Sequence, residues 1–293
     1  MLKNIDLKST RFSAEIEQLS ITDYEKRLGY NPDFLGSSYS VPHPFFRPDL
    51  KEDIAVLKDG STILDYTHFS IVMSKSRRLA YYTVVNIDGA LLKEVKRGKD
   101  SWYIDPRIDA GEQTGPELYA GNDLDRGHLV RRQDPIWGEE ANQANEDTFH
   151  FTNCSPQHKD LNQKTWLDLE DYLLNNTENF KLKATVFTGP VFGSDDPDYR
   201  GIRIPKEFWK LAVMVKKDGN LSASAYLQSQ ANLIRDLDFS FGDYKTYQVP
   251  VTRIEELTGL DFGELRKHDP MAKPRAAMLR IVDFEHENHL PLL

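Results

Sequence analysis

Two runs rich in β-branched and aromatic residues, 64–73 (LDYTHFSIVM) and 79–87 (LAYYTVVNI), flank the polar stretch Ser74-Lys75-Ser76-Arg77-Arg78. Such side chains favour a pleated, half-buried surface. The pair therefore reads as an antiparallel hairpin, closed beyond its second strand by the turn signal Asp88-Gly89. Further strands are expected at 184–188, 209–215 and 224–228, with Gly189-Pro190 and Asp218-Gly219 ending the first two, and a short one at 149–152. Helical spacing occurs at Leu161, Trp166, Leu169, Leu173 and Leu174, and residues 252–257 form a short helix that stops near Gly259. Strands and helices mix without regular βαβ alternation. The expected class is α+β with a mixed, largely antiparallel sheet.

The N-terminal part reads differently. Ser13 can cap a short helix over 13–19. Pro42, Pro44 and Pro48 forbid a helix or central strand over 41–48, which leaves an ordered arm or a linker. We therefore divide the chain into an N-terminal extension or arm, 1–58, and a domain, 59–293. With 293 residues the chain is long enough for a sizeable core. No stretch approaches the roughly 20 apolar residues of a membrane helix. The first residues lack the apolar core of a signal peptide, so a cytoplasmic protein is expected over a secreted one. The single cysteine, Cys154, excludes an internal disulfide framework and reads as a small buried hydrophobe.

The 37 basic and 46 acidic residues leave a net charge of −9, which argues against broad adhesion to nucleic acid. The charge is unevenly spread, however. Residues 71–107 carry eight Lys/Arg against four acids, and 125–132 carry Arg126, Arg131 and Arg132 against Asp125. A basic groove in an acidic protein would accept a polyanion. Several chemistries are absent. No GxxxxGK[ST] or GxGxxG loop marks a nucleotide, no GxSxG marks a serine nucleophile, and no HExxH marks zinc. His286 and His289 read as a solvated tail, and Asp195, Asp196 and Asp198 as a loop.

The informative segment runs from 122 to 174. It contains Asp125-Arg126-Gly127-His128, then TNCSPQ (152–157), then Leu161-Asn162-Gln163 and, eight residues beyond Asn162, Glu170. Hydrolysis of a phosphodiester needs a base for the attacking water, and His128 has a suitable pKa range. It also needs a cation for charge developing on phosphorus and on the leaving oxygen, which a hard dication supplies. Magnesium takes oxygen ligands and keeps several waters, so a neutral amide oxygen from Asn162 would suffice. On one continuous helix Glu170 would lie about 12 Å along the axis and about 80° around it from Asn162. It is therefore expected to reach the ion through a water. Arg126 offers a cation for phosphate. Asp125 reads as structural, and Gly127 permits close backbone approach.

With DRGH, TNxxPQ, LNQ and LE at this spacing, the segment resembles the DNA/RNA non-specific endonucleases. These are ββα-metal (His-Me finger) nucleases, including the Serratia-type enzymes and mitochondrial endonuclease G. The likeness spans about residues 62–266, and GYNPDFLG (29–36) is similar to bacterial members in which the nuclease follows another module. The resemblance implies that His128 is the general base and Arg126 binds phosphate, with Asp125 beside them. It makes Asn162 the direct protein ligand of Mg²⁺ (Mn²⁺ able to substitute) and puts Glu170 behind a water. It implies cleavage of both DNA and RNA with little sequence preference, leaving 5′-phosphate ends. Arg131 and Arg132 are candidate substrate contacts. Members also carry a cation in the loop before the motif, and Arg97, Lys99 and Arg107 remain alternatives for it. The expected partners are DNA and RNA, not a membrane. A homodimer, and a regulatory partner or fused module at the arm, stay open. The rival reading is a regulated or catalytically silent nucleic-acid-binding module.

Overall fold

The computed structural model describes residues 16–17, 19–98, 100–158, 174, 177–179, 181–230, 246–272 and 280–281. We label its principal strands β1 (Leu64–Tyr66), β2 (Phe69–Met73), β3 (Ala80–Asp88), β4 (Leu124–His128), β5 (Cys154–His158), β6 (Lys183–Val191), β7 (Glu207–Val215), β8 (Leu221–Ser229), β9 (Thr246–Val249) and β10 (Arg280–Ile281). Two helices are used below, α1 (Ala141–Asp147) and α2 (Val251–Thr258). Eight strands form one sheet in the order β10-β9-β8-β7-β6-β3-β2-β1, and every neighbouring pair is antiparallel. The class is thus α+β with a large antiparallel sheet.

Alternation along the strands supplies two cores, one per face. Phe208, Ala212, Met214 and Tyr226 join one cluster. Trp209, Leu211, Val213, Ala223 and Ala225 join the other. With both faces covered, all of β3 is buried. The hairpin β4–β5 stands outside the large sheet as its own two-stranded pair, on the face that buries Trp102, Phe149, Phe151 and Cys154.

Three local expectations change. The run 64–73 is not one strand but β1 and β2, split at Thr67-His68. His68 adopts φ 68°, donates Nδ1–H to the Pro135 carbonyl at 2.8 Å, and stacks on Trp137 at 3.5 Å. These tertiary contacts offset the usual cost of a left-handed non-glycine residue. The segment expected as a strand at 149–152 instead makes a 3₁₀ turn over Phe151–Asn153, with β5 starting immediately after. Of the helix expected over 13–19, residues 13–15 and 18 lie outside the described residues, while Ile16–Glu17 pairs in parallel with Trp102–Tyr103. The expected helix through Leu161 lies outside the described residues, apart from Leu174, which is helical along with residues 177–179.

Residues 19–58, the segment expected as an arm, pack onto the rest of the fold. Tyr24, Ala55 and Leu57 enter one cluster, and Tyr30 and Val41 the other. Phe45–Phe46 pairs with Leu260–Asp261. Pro48 opens a 3₁₀ helix, Pro48–Asp53, where its fixed φ fits and its missing N–H is not needed.

Candidate active site

Sequence and pleat together place the chemistry. In β4–β5, Asp125 pairs with Gln157, Arg126 with Pro156, Gly127 with Ser155 and His128 with Cys154. Alternation sends Arg126 and His128 to one face and Asp125 and Gly127 to the other. Gly127 is required by Gln157: a Cβ at this position would lie 2.0 Å from Gln157 Oε1, and Gln157 is fully buried.

The face bearing Arg126 and His128 is lined with aromatic rings. Trp102 lies 5.0 Å from His128 and 5.3 Å from the Arg126 guanidinium. Phe149 meets His128 edge-on at 5.3 Å, and Phe151 and Tyr119 lie 5.6 and 6.0 Å from the guanidinium. Ring faces attract a guanidinium and restrict its rotamers. His128 is partly exposed as a residue, but its Nε2 is buried, and among the described residues neither His128 Nε2 nor Arg126 Nε has a hydrogen-bond partner. Burial pushes the His128 pKa down to about 4. The Asp100 carboxylate pulls the other way, and Arg97 and Arg132 push it further down. The imidazole is therefore neutral at neutral pH and able to accept a proton.

The strand that carries these groups is pinned at its end. Leu129 N–H donates to the Asn153 carbonyl (2.8 Å) and Val130 N–H to Asn153 Oδ1 (2.9 Å). Asn153 Nδ2 donates to the carbonyls of Val130 and Thr148, both at 3.0 Å. Buried Lys210 donates to Thr188 Oγ1 at 3.1 Å and, at 3.5 Å, to the Leu129 carbonyl. Cys154 is buried beside Tyr119, and burial holds its thiol up at about 12, so it is a protonated packing group.

The other candidates separate. Arg107 is held in a buried ion pair with Asp105, Nη2 to Oδ2 2.8 Å, and donates Nη1–H to the Asp65 carbonyl at 2.7 Å. Arg97 is exposed and paired with Asp100, Nε to Oδ1 3.1 Å. Arg132 donates to Asn145 Oδ1 at 2.9 Å and the Val95 carbonyl at 3.3 Å. Asp125 and Arg131 are each engaged by neighbours. Lys99, Asn162 and Glu170 lie outside the described residues. Among the described residues no three His, Cys, Asp or Glu side chains come together as a metal site. Sequence reasoning missed Trp102, Phe149 and Asn153 as builders of the site. The TNxxPQ motif was the available signal for Asn153.

An antiparallel hairpin with histidine and arginine on one face, followed in the chain by helical residues, is the arrangement of a ββα nuclease. The chain belongs to the DNA/RNA non-specific endonuclease family, whose sequence profile matches residues 51–268. It is 39% identical over 295 residues to an uncharacterized protein, y4fB, of Sinorhizobium fredii; the alignment covers 90% of this chain and 43% of that protein. It is 28% identical over 199 residues to a protein named Nuclease of Nostoc sp., covering 66% of this chain and 70% of the relative. It is 26% identical over 178 residues to bovine mitochondrial endonuclease G, covering 57% and 56%. This chain thus spans less than half of the rhizobial relative and about half of the bovine one. A chain of the crystal structure of an EndoG/EndoGI complex shares the fold, with a TM-score of 0.56 at 19% identity over 71% of this chain and 89% of that chain. Among the described residues no helix is long and apolar enough to cross a membrane.

Proposed function

We propose that the chain is a metal-dependent endonuclease that hydrolyses phosphodiesters of DNA and RNA with little sequence preference. One observation carries the reading: a neutral histidine with a buried Nε2, unpartnered among the described residues, shares a strand face with an arginine held by aromatic rings. His128 takes the proton of the attacking water. Attack on phosphorus breaks the bond to the 3′ oxygen, which takes a proton from water, leaving a 5′-phosphate and a 3′-hydroxyl. Arg126 faces the negative charge that builds on the phosphoryl oxygens.

The donor set fits a hard divalent ion. Asn162 would hold it through a neutral amide oxygen, and Glu170 would bind a water of its shell. When bound, the ion supplies Lewis acidity toward the phosphate and the leaving oxygen. Mg²⁺ is the proposed ion, with Mn²⁺ as a substitute. Arg107, enclosed by Asp105, serves the framework in this reading. Arg97, Lys99, Arg131 and Arg132 supply the surrounding positive charge. No motif for base-edge readout accompanies them, which supports sequence tolerance.

The test is digestion of plasmid and of single-stranded RNA, with Mg²⁺ and with EDTA, by wild type and His128→Ala. Both polymers should be cut only with metal. Loss of the base should lower kcat by about 10²- to 10⁴-fold. Full cutting by His128→Ala would overturn the mechanism. A wild type that binds both polymers yet never cuts would instead identify a silent binding module.

A further inference from the structure

The segment 147–153 forms one wall of the site. Phe149 packs on His128, Phe151 on Arg126, and Asn153 pins the backbone beyond His128. What anchors this segment from behind is the N-terminal arm, at residues outside the span 51–268 matched by the family. Tyr24, in a 3₁₀ turn and almost fully buried, has its hydroxyl 2.7 Å from His150 Nε2. His150 Nδ1 lies 2.8 Å from the Asp147 carbonyl, which can only accept. Nδ1 therefore carries the proton, and Nε2 accepts from the tyrosine hydroxyl.

Arg27 adds a second tie. Its Nε and Nη2 each reach the buried Asp147 carboxylate at 3.3 Å. The same carboxylate accepts from Thr67 N–H at 2.9 Å and from Thr67 Oγ1 at 2.7 Å. The Tyr24 ring is held by the guanidinium of Arg107 at 4.0 Å and that of Arg27 at 5.5 Å. Asp147 and His150, which bracket Phe149 and lie just before Phe151, are thus both fastened by the arm.

We propose that Tyr24 and Arg27 are positioning residues, through which the arm holds segment 147–153 in the setting that aims His128 and Arg126. This rests on the nuclease reading above. It differs from a purely stabilising role in one respect. Loosening the tie changes the chemical step in protein that is fully folded, because small displacements of a reacting group are costly to rate.

The experiment uses the full chain with Mg²⁺ and compares wild type, Tyr24→Phe, Arg27→Met and, as control, Leu28→Ser, whose side chain is exposed at 87%. Steady-state cutting of plasmid separates kcat from KM. Histidine ring proton spectra, with the His128 signal assigned by its loss in His128→Ala, report orientation without any turnover. Tyr24→Phe keeps the ring and removes only the hydroxyl. It should lower kcat by about 5- to 100-fold, leave KM within about twofold, and shift the His128 ring signals. Leu28→Ser should match wild type. A folded Tyr24→Phe with wild-type kcat and an unmoved His128 signal would overturn the proposal. If that variant is unfolded at the assay temperature, Arg27→Met is read by the same two criteria. If wild type itself does not cut, the nuclease reading fails, and the His128 signal alone decides whether the arm orients the site.

Discussion

At the scale of single residues, the tightest constraint in the site is steric. Replacing Gly127 by alanine puts a methyl group 2.0 Å from Oε1 of the fully buried Gln157. Either the Gln157 side chain or β4 must move. Overpacking of this kind typically costs about 1–3 kcal/mol. Gly127→Ala should therefore lower the melting temperature and reduce cutting, because His128 is the next residue on the strand. Pairing it with Gln157→Ala removes the clash, and the double variant should melt higher than the sum of the two single effects. A Gly127→Ala protein that melts like wild type would show that the hairpin is looser than described. His128 and Arg126 were legible in the sequence because their chemistry and spacing are local. Trp102 and Asn153 were not, since their roles are to pack on and pin residues 23 to 26 positions away. No short-range pattern encodes such contacts, although the TNxxPQ motif marked the position of Asn153. Asn162 and Glu170 were read from their donor chemistry, their spacing and the family resemblance, and the metal proposed there rests on that reading.

At the scale of elements, long buried strands were the easiest to read. The expectations for 184–188, 209–215 and 224–228 became β6, β7 and β8; β6 and β8 extend at both ends, β6 running through the Gly189-Pro190 expected to end it, and β7 starts two residues earlier. The errors fell where a tertiary contact set the backbone. No glycine or asparagine announced the turn at His68, which is held by Pro135 and Trp137. Arg107 is the parallel case among side chains. As a basic residue just before the motif it reads as a phosphate contact. The fold encloses it with Asp105, itself bonded to Tyr66 at 2.5 Å and to Gln113 at 2.9 Å. Removing one partner strands the other charge in the interior, at about 3–5 kcal/mol. Asp105→Asn should therefore shift the urea midpoint strongly downward, and Arg107→Ala should do the same. If Arg107→Ala instead raised KM for plasmid with an unchanged midpoint, the residue would be a substrate contact after all.

At the scale of the whole molecule, the arm and the sheet meet at buried and half-buried imidazoles, and this makes folding sensitive to acid. His43 contacts the Tyr82 hydroxyl at 3.0 Å, and His68 closes the β1–β2 turn. His128 lies in the site, and His150 receives the arm. Burial lowers the pKa of all four from the ordinary value of 6.5. Near pH 6 the unfolded chain therefore binds more protons than the native one, so stability must fall as pH falls below about 6.5. Each histidine neutral in the fold and charged in the unfolded chain contributes on the order of 1.4 kcal/mol per pH unit in that window. Asp65, Glu207, Glu255 and Asp269 have raised pKa values, also through burial, and act in the opposite direction as carboxylates protonate. Melting temperature should thus drop steeply between pH 7 and 5.5, with net proton uptake on unfolding measurable by calorimetry in buffers of different ionisation enthalpy. A melting temperature that stayed level or rose over that interval would mean that these rings are already protonated, or solvated, in the native state. The neutral His150 that accepts from Tyr24 would then be lost as well, and with it the geometry by which the arm reaches the site.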